Sequence, residues 1–349
     1  MAFLEILNFL DNSCIYIITP LVDNIIISRL FLISNKLWYN ASEVIEMEVK
    51  AIVPRGYCKG VVRAIDIAKK ASCQDDDVYI LGMIVHNQYI VNALEELGIY
   101  TIDQKGKTRL ELLDEIDYGT VIITAHGASE QVFKKAQEKG LKVIDASCLD
   151  VIKTHDLIKD KLKDGYEILY IGKAGHPEAE GAISINEQKI HLITKKEDLD
   201  NLDPTIHYVI TNQTTMSLYD VYDLCEYAKE KLPHVEIAKE TCTATKIRQE
   251  AIQNMDEDID IVFIVGDPHS NNTQKLASIA KKNREVYMIE SIDDLDVKTL
   301  KGKKKAAVSS GASTPTYLTN QVIDFLKQFD ENNPNTYQKP VIDKSKILS

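Results

Sequence analysis

Three of the six cysteines in this 349-residue chain stand in loops suited to binding chemistry, and they are almost evenly spaced: 90 residues separate Cys58 from Cys148, and 94 separate Cys148 from Cys242. Cys58 lies in Pro54-Arg55-Gly56-Tyr57-Cys58-Lys59-Gly60, where glycines let the backbone approach a ligand closely. Cys148 ends Asp145-Ala146-Ser147-Cys148, and Cys242 lies in Glu240-Thr241-Cys242-Thr243-Ala244-Thr245. All three read as strand-to-helix junctions, where a helix N-terminus favours the thiolate. Three thiolates from distant parts of a chain can hold zinc with a fourth His or water. They can equally hold an iron-sulfur cluster with one iron lacking a protein ligand. Cys73 at a helix end and Cys225 inside a helix read as packing residues, and Cys14 belongs to an atypical leader.

A second set of residues points to an anion. Val85-His86-Asn87, Ala125-His126-Gly127 and Gly175-His176-Pro177-Glu178-Ala179-Glu180-Gly181 follow predicted strands, where a histidine beside a helix start can donate to phosphate. His155, His191, His207, His234 and His269 lack that context and read as structural. Glu178, held behind Pro177, is the candidate general acid, since partial burial beside an anion raises a carboxyl pKa; Glu180 is its rival. Thr211-Asn212-Gln213-Thr214-Thr215, Ser270-Asn271-Asn272 and Gly311-Ala312-Ser313 add neutral donors, and together they make a cage suited to a diphosphate.

The elements that must position these residues are legible from Met47 onward. Short Val/Ile-rich runs at 48–53, 78–83, 120–125, 166–171, 207–211, 261–265, 285–289 and 306–309 alternate with helical stretches such as 87–97, 129–139, 217–232 and 272–282. That alternation predicts α/β architecture with mainly parallel sheets, whose ligands bind beyond the carboxyl ends of the strands. With the cysteine spacing, it predicts three similar α/β domains at 47–148, 149–238 and 239–330, followed by a solvated tail at 331–349. The formal charge of -12 argues against nucleic acid as a partner. The cysteine pattern forms no disulfide ladder and fits a reduced, cytoplasmic setting. Residues 1–46 are apolar but broken by Glu5, Asp11, Asp23 and Arg29, too short a run to span a membrane, so no membrane is expected. We read them as a mis-assigned upstream start, with a membrane-surface anchor as the rival.

Taken in order, PRGYCKGV at 54–61, VHN at 85–87, AHG at 125–127, DASC at 145–148, AGHPEAEG at 174–181, NQTT at 212–215, TCTATKIRQEA at 241–251 and SGAS at 310–313 resemble the 4-hydroxy-3-methylbut-2-enyl diphosphate reductases, the IspH/LytB family. The resemblance runs from about Val49 to about Phe329. It implies a trefoil of three domains around one 4Fe-4S cluster with an open iron, bound by Cys58, Cys148 and Cys242. It also implies that His86, His126 and His176, with Thr214, Ser270, Asn271, Asn272 and Ser313, hold the substrate. Glu178 and Thr214 would relay the proton. The implied reaction is the reductive dehydroxylation of (E)-4-hydroxy-3-methylbut-2-enyl diphosphate to isopentenyl and dimethylallyl diphosphate, the last step of the methylerythritol phosphate route, with ferredoxin or flavodoxin as electron donor. Two departures stand out: Asn271 where many relatives have Ser, and Leu149 where Pro is frequent. The rival readings are a zinc-dependent hydrolase of a phosphorylated substrate and a non-catalytic iron-sulfur sensor.

Overall fold

The computed structural model describes residues 47–349 apart from 76, 239–241 and 282–283. The leader, and both readings of it, lie outside the described residues, as do Glu240 and Thr241 beside the third cysteine.

From the N-terminal side the chain runs through β1 (Glu48–Ala51), α1 (Lys59–Ser72), β2 (Val78–Leu81), α2 (Gln88–Glu95), β3 (Ile99–Ile102), α3 (Arg109–Leu112), β4 (Thr120–Ile123), α4 (Glu130–Glu138) and β5 (Lys142–Asp145). A second stretch holds α5 (Leu149–Lys163), β6 (Glu167–Ile171), α6 (Pro177–Ile183), β7 (Ile190–Ile193), β8 (Tyr208–Asn212), α7 (Leu218–Lys231) and β9 (Val235–Ile237). The last holds α8 (Thr243–Gln253), β10 (Ile261–Val265), α9 (Asn271–Ala280), β11 (Glu285–Ile289), β12 (Lys305–Ser310) and α10 (Thr316–Gln328).

The strands form three four-stranded sheets, ordered β3-β2-β4-β5, β7-β6-β8-β9 and β11-β10-β12-β1, with every pairing parallel. In the first two sheets the strands stand second, first, third, fourth in chain order. The third sheet keeps that pattern but takes its fourth strand from the other end of the described chain, pairing Glu48 with Lys305 and Ala51 with Val308. This corrects the expected division at 47–148, 149–238 and 239–330: strand 48–51 belongs to the sheet of the last unit. The reason is a vacant edge beside β12, which β1 fills with a parallel ladder.

Local chemistry explains the elements. The inner strands β4, β8 and β10 are buried along their whole length, as expected for strands covered by helices on both faces. Helix α1 buries Val61, Ala64, Ile65, Ala68 and Ala71, the stripe that a 3.6-residue period lays against a sheet. Of the edge strands, β5 and β9 carry exposed residues at their ends.

The expected solvated tail is a second correction. Residues 339–349 fold back over α1 and α10: Tyr57 Oη donates to Ile347 O at 2.7 Å, Lys69 Nζ to Leu348 O at 3.4 Å and Gln321 Nε2 to Val341 O at 3.2 Å. Ile347 is 1% exposed and joins the main core, with Ile342 and Leu348 packed beside it. Burial of these apolar side chains outweighs the solvation of the intervening lysines. No helix among the described residues is long and apolar enough to cross a membrane.

Candidate active site

The repeated sheet order sets out the site. In each sheet the loop after the fourth strand ends in a cysteine that caps the next helix: Cys58 before α1, Cys148 before α5 and Cys242 before α8. The N–H groups of the first helical turns point at two of these sulfurs, those of Asp150 and Val151 at Cys148 and those of Ala244 and Thr245 at Cys242, an arrangement that favours a sulfur carrying negative charge. The loops after the first strands carry His86, the His176–Glu178 pair and Ser270–Asn272, and those after the third strands carry His126, Thr214 and Ser313. The histidines therefore do not occupy equivalent strand ends, since His126 follows a third strand and the other two follow first strands. Backbone bonds tie the loops together: Cys58 N–H donates to Ala312 O and Cys148 N–H to Ala125 O, each at 2.9 Å and each beside an anion-facing residue.

All twelve predicted site residues line one cavity of about 710 Å³. Cys225 is buried in α7, as a packing residue should be, whereas Cys73, also expected to pack, is the exposed C-cap of α1: the helix ends there and its stripe of buried residues stops at Ala71. The other five histidines lie elsewhere; His191 bonds Glu167 at 2.7 Å and His207 stacks on His234 at 4.8 Å.

The acid is well defined. Glu178 is 1% exposed, and Thr214 grips both of its oxygens: the backbone N–H donates to Oε1 at 2.6 Å and the hydroxyl to Oε2 at 2.9 Å. Tyr170 Oη reaches the same carboxyl at 3.5 Å. Burial raises the Glu178 pKa to about 7, against the lowering effect of the Thr214 bonds. The carboxyl thus exchanges a proton near neutral pH, as a general acid must. Its rival Glu180 is exposed and lines a separate outer hollow instead.

The three imidazoles stand in a row, with ring centroids 5.8 Å apart for His86 and His126 and 5.4 Å for His126 and His176. His176 caps α6, its Nδ1 accepting the Glu178 N–H at 3.2 Å, which leaves Nε2 to carry the proton as a donor. Burial first, and then neighbouring positive charge, pushes the His176 pKa down to about 3 and holds that of His126 well below the ordinary range; burial also lowers His86, against the opposing pull of Asp267 and Asp103. The cavity wall therefore presents neutral rings. Opposite them, the buried Ser313 Oγ has no partner and the Ser270 hydroxyl makes no cap bond, while Thr245 Oγ1 donates to Asn272 Oδ1 at 3.5 Å. Unspent hydroxyl and amide donors facing neutral imidazoles suit an oxyanion of high charge.

The thiols fit a metal-sulfur group. A Cβ added at Gly60 would lie 2.7 Å from Cys148 Sγ and 3.8 Å from Cys58 Sγ, so only glycine leaves room between the two sulfurs. Burial raises the pKa of Cys148, and that of Cys242 to about 11, so ionised sulfur here needs a positive partner. Arg248, whose charge faces Cys58 and Cys242, donates to Gly56 O at 2.8 Å and so holds the Cys58 loop. Among the described residues no three His, Cys, Asp or Glu side chains converge on one metal ion.

Several residues at the site carry no local signal in the sequence. Arg109, in α3, is buried and donates Nη1 to Gly127 O and Nη2 to Thr124 Oγ1, the latter at 2.5 Å, although nothing in its local pattern marks it. Tyr170 reads as a plain strand residue. Gln213 sits inside the NQTT motif at 212–215 but serves the loop itself, accepting from Lys173 N–H at 3.0 Å and donating to Thr215 Oγ1 at 2.7 Å.

The family model described as "LytB protein" matches residues 49–327. A protein of Anoxybacillus flavithermus named 4-hydroxy-3-methylbut-2-enyl diphosphate reductase is 50% identical over 299 residues, covering 84% of this chain and 94% of its own. The Bacillus subtilis protein of that name is 48% identical over 297 residues, covering 83% and 94%. The solved E-1-hydroxy-2-methyl-but-2-enyl-4-diphosphate reductase of Plasmodium falciparum superposes with a TM-score of 0.75 at 31% identity, over 83% of this chain and 90% of that one. A second solved structure, of (E)-4-hydroxy-3-methyl-but-2-enyl diphosphate reductase, gives a TM-score of 0.60 at 29% identity, over 80% and 98%.

Proposed function

The chain belongs to the LytB family, and from that premise we propose that it reduces (E)-4-hydroxy-3-methylbut-2-enyl diphosphate to isopentenyl diphosphate and dimethylallyl diphosphate, the terminal step of the non-mevalonate pathway. The carbon–oxygen bond of the allylic alcohol breaks, two electrons and two protons enter, and water leaves. Cys58, Cys148 and Cys242 would hold one 4Fe-4S cluster per chain, which supplies the electrons and a Lewis-acidic iron when bound; ferredoxin or flavodoxin would be the donor.

The chain's own part is binding, orientation and proton supply. His176 Nε2, His86 and His126 donate to the diphosphate from one wall, and Ser270, Asn271, Asn272 and Ser313 donate from the other. Glu178 holds a proton near neutrality and passes it, through or beside the Thr214 hydroxyl at 2.9 Å, to the departing oxygen. Thr214 N–H keeps the resulting carboxylate oriented for reprotonation. The pairing of a buried Glu178, which exchanges its proton near neutral pH, with three thiols in one cavity carries this reading. A hydrolase or a sensor has no use for that pairing, and the relatives described are reductases, so both rival readings are set aside.

The reading is tested on anaerobically purified protein by iron and sulfide content, Mössbauer spectra with and without substrate, and turnover. Cys58→Ser is expected to lose iron and activity together. Glu178→Gln is expected to keep iron and bind diphosphate while losing turnover. Full activity in Glu178→Gln would sink the proton-donor assignment.

A further inference from the structure

Arg109 lies on the far side of the histidine row, in an outer hollow that it shares with His86 and His126. Its guanidinium fork holds Thr124 Oγ1 with one nitrogen and Gly127 O with the other, so it clasps the residues on either side of Ala125-His126. The side chain is 7% exposed, and among the described residues it forms no salt bridge; Glu180 and Asp103, both exposed, act on it from longer range. Burying a guanidinium without a paired carboxylate is costly, and a fold that keeps one gains something from the unneutralised charge. That charge is felt by His86, His126 and His176 alike.

These observations meet a need the rest of the site leaves open. The protein is acidic overall, at -12, and the cavity's histidines are neutral, so hydrogen-bond donors alone face the substrate's phosphates. We propose that Arg109 is a positioning residue for the diphosphate: it braces the His126 loop from both sides and sets a permanent positive charge behind the three imidazole rings. The inference rests on the diphosphate reading above. An imidazole that donates to phosphate from one edge is polarised by a cation near the other, so the arrangement strengthens three donors at once without placing the cation in the path of the substrate.

The test uses the full-length holoenzyme and inorganic pyrophosphate as probe, with affinity measured by titration calorimetry beside steady-state kinetics. Arg109→Gln is expected to weaken pyrophosphate binding by about tenfold and raise KM for the allylic diphosphate in step, with kcat changing by less than about threefold. Arg109→Lys keeps the charge without the two-armed brace, and should recover most of the affinity. Wild-type affinity in an Arg109→Gln protein of normal iron content overturns the proposal, as does a fall in kcat with KM unchanged. Should Arg109→Gln fail to fold, Thr124→Val decides, because it removes one arm of the brace and leaves the charge. Pyrophosphate binding weakened by about threefold supports the proposal, and unchanged binding overturns it. A wild-type protein that binds pyrophosphate but reduces no allylic diphosphate would refute the functional reading and leave this inference intact.

Discussion

Replacing Glu178 with Gln should make the protein more stable at high pH, even as it stops turnover. Burial raises the Glu178 pKa from 4.5 to about 7 in the folded chain. Folded protein therefore holds this proton more tightly than unfolded protein does. Below about 4.5 both states are protonated and the group has no effect on stability. As pH rises from there, the unfolded chain ionises freely and the folded one does so only near 7, so stability falls by about 1.4 kcal/mol per pH unit and then levels off. The total loss is about 3 kcal/mol, reached above pH 7. Gln cannot ionise, and it satisfies the same partners: its oxygen accepts the Thr214 N–H and its amide donates to the Thr214 hydroxyl. Anaerobic guanidinium unfolding of holoprotein from pH 5 to pH 8.5 measures the difference. The variant should exceed wild type by less than about 1 kcal/mol at the acid end and by about 3 kcal/mol at the alkaline end. A gap that does not change with pH, or a variant less stable at pH 8, would refute the claim that a buried ionisable carboxyl sits here.

Other changes read out other parts of the structure. Gly60→Ala puts a methyl 2.7 Å from Cys148 Sγ, and iron content after anaerobic reconstitution should drop below half of wild type with the circular dichroism unchanged. Tyr57→Phe deletes the bond to Ile347 O, which should cost about 1 kcal/mol and speed iron release to a chelator several-fold, measured by the bleaching of the cluster's visible absorbance. Thr214→Val removes the hydroxyl that bonds Glu178 but keeps the N–H; turnover should fall by about tenfold or more, with the alkaline limb of the pH–rate profile, where Glu178 loses its proton, moving to higher pH.

The parts legible in the sequence were those whose causes are local. Cys58, Cys148 and Cys242 announced themselves because each closes a loop at a helix start, and Glu178 because Pro177 and His176 fix its surroundings. The inner strands were legible as unbroken apolar runs. Four strands went unnamed among the strand candidates, β3, β5, β7 and β9, and all four are edge strands, three or four residues long, in which polar residues interrupt the run. The pairing of β1 with β12 was illegible for a different reason: a strand's own residues do not say which distant edge it completes. Arg109 was missed because its importance comes from Thr124 and Gly127, brought to it by the fold. The tail misled because its Asn and Lys residues outnumber Ile342, Ile347 and Leu348, which decide where it goes.

The borrowed strand of the third sheet sets an order of events in synthesis. β1 leaves the ribosome early, and its partner β12 follows roughly 250 residues later, since Glu48 pairs with Lys305. Until then the strand leading to Cys58 has no neighbour, and the first two sheets can fold while the first cysteine still waits for its frame. Cys148 and Cys242 are set by strands already made, but the trio is complete only when nearly the whole chain has emerged. On the proposed reading, a cofactor between the three sulfurs would be loaded after translation, because a nascent or truncated chain that stops before β12 holds the Cys58 loop without the strand that frames it.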